Sequence, residues 1–425
     1  MNPSRRAFIK ASTPALCAGL SAPFIATNWA KSAPSERITM GFIGVGNHGH
    51  GYNLKSFLQN DDMQAVAVCD VFKSRMDHAA NTINAHHKTE DCKKFGDFRE
   101  LLARDDIDAV AISTPDHWHV PLSIFGLEAG KDVFCEKPTL TIAQGRELVE
   151  AVAKHNAIFQ TGLEDRSVSQ YHKLAEAVRN GAIGELKTIH CGLPHKKTHV
   201  WKTEEAAPVP DDLNYKMWQG PAPEMPYTKT RTHKDCWRQI RMYSGGTLTD
   251  WGAHIMDTAQ VANFAEKSGP VSVEGTGAIP EGSINSIALT FDLDYTYENG
   301  VHMKVKSDGV YLRFEGTDGW VGNKGWRGGL EAHDRMVFRQ KYEDNKIWPL
   351  PPGEHRDFLN AVKSRKQPTY TAEDLHRLST CMHLGNIALE LGRKVQWDPK
   401  DETFIDDSEA NKLRSRPQRD DWKNA

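Results

Sequence analysis

The run Gly44-Val45-Gly46-Asn47-His48-Gly49 stands between a short apolar stretch at residues 37–43 and a helical pattern at 52–59. Strand, glycine turn and helix in that order constrain the fold more than any other feature of the chain. The first glycine permits a tight turn, the second lets the backbone approach a pyrophosphate, and the third lets helix and strand pack closely. The helix N-terminus then draws negative charge. Alone the pattern is weak. It gains weight from residues 63–69, a second apolar strand pattern that ends at Asp70, 21 residues past Gly49, where an acid accepts the adenosine ribose hydroxyls. Such an acid repels a 2′-phosphate, so NAD is favoured over NADP; Lys73 and Arg75 keep NADP open as the minor alternative. Asn47 and His48, inside the turn, join Gly44, Gly46, Gly49 and Asp70 as cofactor-binding candidates.

The alternation continues with a helical stretch at 72–84, a helix start at 97–102 and a buried strand at 109–113. Strands separated by helices make a parallel sheet whose ligands lie beyond the carboxyl ends of the strands. The loop Thr114-Pro115-Asp116-His117-Trp118-His119 is thereby expected at the cofactor edge. A strand at 132–135 runs into Glu136-Lys137-Pro138, and Thr141 to Gln144 reads as a capping box for a helix to His155. A lysine at a strand end, on the sheet edge whose loops carry function, faces the crevice. Lys137 is therefore a catalytic candidate.

From about residue 160 the grammar changes. A helix at 171–180 and a strand at 186–193 are followed by strands at 286–297, 301–306 and 310–315, joined by turns at Asn299-Gly300 and Asp308-Gly309. This is hairpin patterning, so the expected architecture is an α/β chain: a doubly wound Rossmann sheet over residues 36–160, then an α+β domain with an open, mostly antiparallel sheet over 161–425. Residues 374–391 read as an amphipathic helix, and the tail from Lys400 as loosely structured. Asp250, His254 and Asp257 recur at i, i+4 and i+7, which on one helix puts them on one face. Asp and His there suit proton transfer or a metal. Zinc wants three or more ligands with Cys or His spacing, which nothing nearby supplies, so no metal is expected. The region between the two patterns is rich in aromatic residues. Trp237, with His233 and Arg238, and Trp118 and Trp251, which flank the two catalytic motifs, are candidates to stack on sugar rings and bond their hydroxyls.

Taken in order, Gly44-x-Gly46-x-x-Gly49, Thr114-Pro115 with His119, Glu136-Lys137-Pro138 and Gly245-Gly246-Thr-Leu-Thr-Asp250-Trp-Gly-Ala-His254 resemble the glucose-fructose oxidoreductase, inositol dehydrogenase and rhizopine-catabolism (Gfo/Idh/MocA) family. The segment from Glu354 to Pro399 resembles its bacterial C-terminal module. The resemblance implies the same two-domain layout and assigns the catalytic group around a sugar hydroxyl to Lys137, Asp250 and His254. Thr114, Pro115, His119, Glu136 and Lys137 join the cofactor-binding candidates. In this chemistry hydride leaves a secondary alcohol while His254 removes the hydroxyl proton, Lys137 stabilises the oxyanion and Asp250 orients substrate or imidazole.

Ser4-Arg5-Arg6-Ala7-Phe8-Ile9-Lys10, followed by an apolar run too short and too rich in small residues to span a membrane, reads as a twin-arginine export signal within residues 1–35. The expected location is the periplasm, reached in the folded state with cofactor on board and without membrane insertion after signal removal. With no free NAD pool expected there, a bound nicotinamide must be reoxidised by another electron acceptor or by the substrate itself. The first expectation is thus a sugar or glycoside oxidoreductase. The second is an NAD-dependent glycosidase that oxidises, eliminates, hydrates and reduces. A non-catalytic sugar-binding relative is the third, and intact Lys137, Asp250 and His254 count against it. A formal charge of −3 offers no basic face for nucleic acid. The cysteines contain no Cys-x-x-Cys pair, and because such cargo folds in a reducing cytoplasm they read as mostly buried thiols. We expect a homo-oligomer.

Overall fold

The structure, a computed structural model, describes residues 36–195 and 197–419. The arginine-pair segment and Cys17 lie outside the described residues. The chain enters as β1 (Ile38–Ile43), and β2 (Met63–Cys69), β3 (Lys93–Phe95), β4 (Ala109–Ile112), β5 (Asp132–Cys135) and β6 (Phe159–Thr161) follow. They pair in the order β3-β2-β1-β4-β5-β6, parallel throughout. β1, β4 and β5 are buried at every position, which is why they read as unbroken apolar runs and not as alternation. The order reverses between β1 and β4, and the crevice at their carboxyl ends is the usual ligand position of such sheets.

The second sheet contains β7 (Leu186–Gly192), β8 (Ser272–Ala278), β9 (Thr290–Thr296), β10 (His302–Lys306), β11 (Tyr311–Gly316), β12 (Trp320–Lys324), β13 (Leu330–Ala332), β14 (Val395–Asp398) and β15 (Thr403–Phe404). Their order is β13-β12-β11-β7-β10-β9-β8-β14-β15, antiparallel except for β7 against β10. Alternation sets the faces: Phe291, Leu293 and Tyr295 of β9 and Met303 and Val305 of β10 point into the core, while the residues between them do not. Helices Gly252–Ala262 and Ala372–Leu391 cover that inner face. Gly385 lets the second helix sit close, since a Cβ there would lie 2.1 Å from the Tyr295 hydroxyl.

Three features depart from the expected organisation. Helix Glu354–Ser364 packs Phe358, Leu359 and Ala361 against Met40, Phe57 and Phe134 of the nucleotide half, because its apolar stripe matches the open face beside β1 and β5. The tail from Lys400 is ordered. It forms β15 and helix Ser408–Lys412, then Arg416 donates to the Ser244 carbonyl (2.8 Å) and Arg419 to the Gly220 carbonyl (2.7 Å). Its charged composition hides these long-range bonds. Asp257, expected beside Asp250 and His254, instead forms a buried two-pronged pair with Arg166 (both contacts 2.7 Å), and Asp374 lies 3.2 Å from the same guanidinium. The helix pattern breaks at Trp251, between Thr247–Asp250 and Gly252–Ala262, so the i+7 residue turns inward. The six described cysteines are unpaired, five of them buried.

Candidate active site

β1 ends in the glycine turn. Gly44 has φ +80°, and a Cβ on it would lie 2.8 Å from Ser113 and Thr114 at the end of β4. A Cβ on Gly49 would meet the Gly44 carbonyl at 2.0 Å, so these two glycines set how closely loop and following helix approach. That helix opens as a π-helical turn, Gly49–Leu54, and continues as Lys55–Leu58. Asp70, at the end of β2, is buried; one carboxyl oxygen accepts the Val45 N–H (2.8 Å) and the other the Phe72 N–H (2.9 Å). Burial raises its pKa. Asp70 thus braces the glycine turn as well as bordering the cleft. Arg75 lies over the Phe72 ring, 3.8 Å from its centroid, beside Gly46.

The other edge of the turn carries His48, whose Nε2 lies 2.8 Å from Glu136, and Asn53, whose amide donates to Glu136 and Ser113 at 2.8 Å each. Burial alone would raise the Glu136 carboxyl, but His48, Lys137 and Asn53 hold it well below the usual carboxylate range. Glu136 in turn raises His48. His119 spans the two loops: Nδ1 lies 2.8 Å from the Pro138 carbonyl and Nε2 2.8 Å from the Thr114 carbonyl. Its ring nitrogens are therefore committed to bracing the loops.

Lys137 follows β5 and is largely buried. Its ammonium donates to the Asp250 carbonyl (2.9 Å) and carboxylate (3.2 Å). Burial opposes the charge, yet Asp250 and Glu136 outweigh it and raise the Lys137 pKa. Asp250 also meets Arg238 at 3.5 Å; against burial, the two cations and His254 hold its carboxyl far below the ordinary range. Lys137 is thus a proton-bearing donor and Asp250 an anion. His254 Nδ1 lies 2.8 Å from a carboxyl oxygen of Asp165, just past β6. A carboxylate only accepts, so Nδ1 carries the hydrogen and Nε2 is the basic nitrogen.

These groups line one cleft of about 650 Å³. Of the sugar contacts expected from the aromatic content, His233, Trp237 and Arg238 border it, with Arg238 over the Trp237 ring at 4.3 Å. Trp118 reaches its edge but is buried, and its indole N–H donates to the Met217 and Trp218 carbonyls at 3.1 Å each. Trp251 stands behind Trp326, ring centroids 5.7 Å apart, and Trp326 is the one of the two that lines the cleft. Sequence reasoning missed Glu164, Asp165, Trp326 and Arg327. The two acids were recoverable, since they follow the carboxyl end of β6; the turn holding Trp326 carries no such signal.

Glu164, Asp165 and His254 place one ligand atom each within 4.8 Å of one another, near enough to hold a metal ion. Arg327 already spans both acids at 2.6 Å each, supplying the positive charge a cation would bring. The glycine cradle fits a dinucleotide better. The backbone is bare of Cβ atoms at Gly44, Gly46 and Gly49, where a pyrophosphate approaches, and the buried Thr114 hydroxyl beside it has no hydrogen-bond partner among the described residues.

Fold and cleft together define a dinucleotide-binding chain of the α/β class. Residues 38–163 match the model of an oxidoreductase family NAD-binding Rossmann fold, and residues 168–424 that of the same family's C-terminal alpha/beta domain. The chain belongs to the Gfo/Idh/MocA family, and NAD is its cofactor. A glycosyl hydrolase family 109 protein of Shewanella sp. (strain ANA-3) is 32% identical over 233 residues, 48% of this chain and 50% of the relative. Another, of Shewanella putrefaciens, is 29% identical over 180 residues, 39% of each chain. The chain spans about half the length, or less, of these curated relatives. Among solved structures, GenD2 from gentamicin A biosynthesis, in complex with NAD, shares the fold at a TM-score of 0.63 and 18% identity, covering 89% of this chain and 100% of that one. Levoglucosan dehydrogenase with NADH and levoglucosan does so at 0.62 and 16%, covering 85% and 99%.

Proposed function

We propose that the chain is an exported, NAD-dependent oxidoreductase that oxidises a secondary hydroxyl of a sugar or glycoside to a ketone and keeps the hydride on a tightly bound nicotinamide. Lys137, Asp250 and His254 converge in the cleft into which the glycine turn opens, and that convergence carries the proposal. NAD, held by the glycine turn and Asp70, would supply the acceptor for the hydride of the carbinol carbon. His254 Nε2 takes the hydroxyl proton, because Asp165 holds the other ring nitrogen as N–H. The Lys137 ammonium donates to the oxygen as it gains negative charge, and Asp250 holds Lys137 and Arg238 in place. The segment at 210–220 lies across the nucleotide side: Asp212 accepts the Ser74 N–H and hydroxyl at 2.8 and 2.6 Å, and the Asn214 N–H meets the Val71 carbonyl at 2.9 Å. A strap of this kind favours retention of cofactor over exchange.

The names of the curated relatives favour a second reading, an NAD-dependent glycosidase. In it the same ketone acidifies the neighbouring C–H, the aglycone leaves by elimination, water adds, and the hydride returns. Purified protein given a panel of glycosides without added nucleotide separates the two. Ketosugar that accumulates only with an artificial electron acceptor supports the oxidoreductase, and steady aglycone release without an acceptor supports the glycosidase. Bound NAD that is never reduced by any member of the panel overturns both.

A further inference from the structure

We propose that Trp326, on the turn between β12 and β13, forms a sugar-ring wall of the active site and that Trp326 and its neighbour Arg327, through Asp165, fix the protonated nitrogen of His254. The proposal rests on the oxidoreductase reading and names its substrate class as a pyranose ring with a continuous C–H face. Trp326 is 42% exposed and lines the cleft, whereas Trp118 and Trp237 are 4% and 6% exposed. Its ring stands edge-on to His254, centroids 5.3 Å apart, with Trp251 behind it. The Arg327 guanidinium covers one face of the indole, 4.2 Å from the ring centroid; the opposite face, next to the proton-accepting residue, is what a sugar ring needs in order to bury its C–H face while presenting a hydroxyl to His254.

The same turn grips Asp165. The Trp326 indole N–H donates to one carboxyl oxygen at 3.1 Å, the oxygen that also accepts the His254 Nδ1 hydrogen at 2.8 Å. Arg327 Nε donates to the other oxygen at 2.6 Å and Nη2 to Glu164 at 2.6 Å. Three donors from two elements therefore hold Asp165 in one orientation, and Asp165 holds His254. Burial would raise the Asp165 carboxyl, yet His254, Arg327 and Trp326 keep it below its ordinary range. Arg327 has φ +56°, a left-handed conformation that is costly for a side chain of its size and that marks the turn as held in place by its contacts. Its N–H donates to the Tyr171 hydroxyl at 3.1 Å. The charged groups around His254 and its partner Asp165 are Glu164, Arg327 and Asp250.

The test uses the NAD-bound full chain and the variants Trp326→Ala, Trp326→Phe and Asp165→Asn, with NAD retention as the check on folding. Histidine nitrogen NMR of the sugar-free protein reads the tautomer: the parent should carry hydrogen on Nδ1 at neutral pH, and Asp165→Asn should populate the Nε2–H form. Calorimetry with a panel of methyl pyranosides reads the wall: Trp326→Ala should weaken binding at least tenfold and Trp326→Phe less than threefold. Trp326→Phe, which lacks the N–H, should instead shift the pH profile of turnover while changing KM little. Parent-like binding by Trp326→Ala, a parent that binds no pyranoside, or an unchanged tautomer in Asp165→Asn overturns the proposal. Binding and tautomer results as expected, with no sugar oxidised by the parent, leave this assignment standing and refute the oxidoreductase reading alone.

Discussion

Replacing Lys137 by Met keeps the apolar stem and removes the charge, which isolates what the ammonium does. At 3.2 Å and an effective dielectric near 20, its attraction to Asp250 is about 5 kcal/mol, but both groups gave up hydration on burial, so the net worth of the pair is far smaller. What matters is what remains. Asp250 keeps Arg238 at 3.5 Å, so Lys137→Met should cost ~2 kcal/mol, below the ~3–5 of an orphaned buried charge. By the usual scaling for domains of ~150–250 residues, that is a fall in Tm of about 4–8 °C. Asp250→Asn should cost more, because it leaves Lys137 and Arg238 facing each other. Turnover should follow another order: in the proposed reaction Lys137 meets the reacting oxygen, so its loss should slow the ketone-forming step by roughly two to four powers of ten while nucleotide stays bound. Calorimetric melting of the NAD-loaded variants and single-turnover reduction of bound NAD by the active sugar measure both quantities. Turnover within about fivefold of the parent, or a greater destabilisation by Lys137→Met than by Asp250→Asn, would refute the reasoning.

Glu354 is 2% exposed, and burial beside Glu164 and Glu136 outweighs the contact with the Tyr52 hydroxyl and pushes its carboxyl well above the ordinary 4.5. The folded state then binds the extra proton, so stability should fall by up to about 1.4 kcal/mol per pH unit as pH rises from 4.5 towards the folded-state value. Glu354→Gln should flatten that slope in denaturation series run across pH, and an unchanged slope would show that another group causes it. Asp70→Asn should weaken NAD and narrow its advantage over NADP; titration with both nucleotides checks this, and parent-like affinity for each would remove Asp70 from ribose recognition. Gly49→Ala places a Cβ 2.0 Å from the Gly44 carbonyl, so purified protein should lose most of its bound nucleotide, which absorbance after denaturation measures.

Much of the nucleotide half was legible because its signals are local. β1, β4 and β5 are buried on both faces and so are mostly apolar runs, and Gly44 and Gly49 sit where a Cβ has no room. Alternation in β9 and β10 made the antiparallel domain legible for the same reason. The packing of helix Glu354–Ser364 on the nucleotide half was not legible, and the tail beyond Lys400 was misread, because their partners lie far upstream in the chain. Nothing in the spacing of Arg416 or Arg419 announces the carbonyls of Ser244 and Gly220 that they reach.

The site divides along the same line. Lys137 and His254 were recognisable because strand-end and helix-face placement follows from neighbouring residues, whereas the protonation pattern that makes them useful is set by partners distant in sequence. His254 depends on Asp165, 89 residues earlier, and Asp165 depends on Arg327, 162 residues later. Asp257 illustrates the converse. Its spacing from His254 was right for a shared face, but Arg166, which Asp374 also contacts, draws it into the interior. Periodicity therefore fixes which residues are available to a cleft, and the competition among buried charges for partners decides which of them face it. In this chain that competition gives Arg166 to Asp257 and Arg327 to Asp165, and so leaves His254 on the cleft with one nitrogen tied and the other unbonded among the described residues, the arrangement the proposed proton transfer requires.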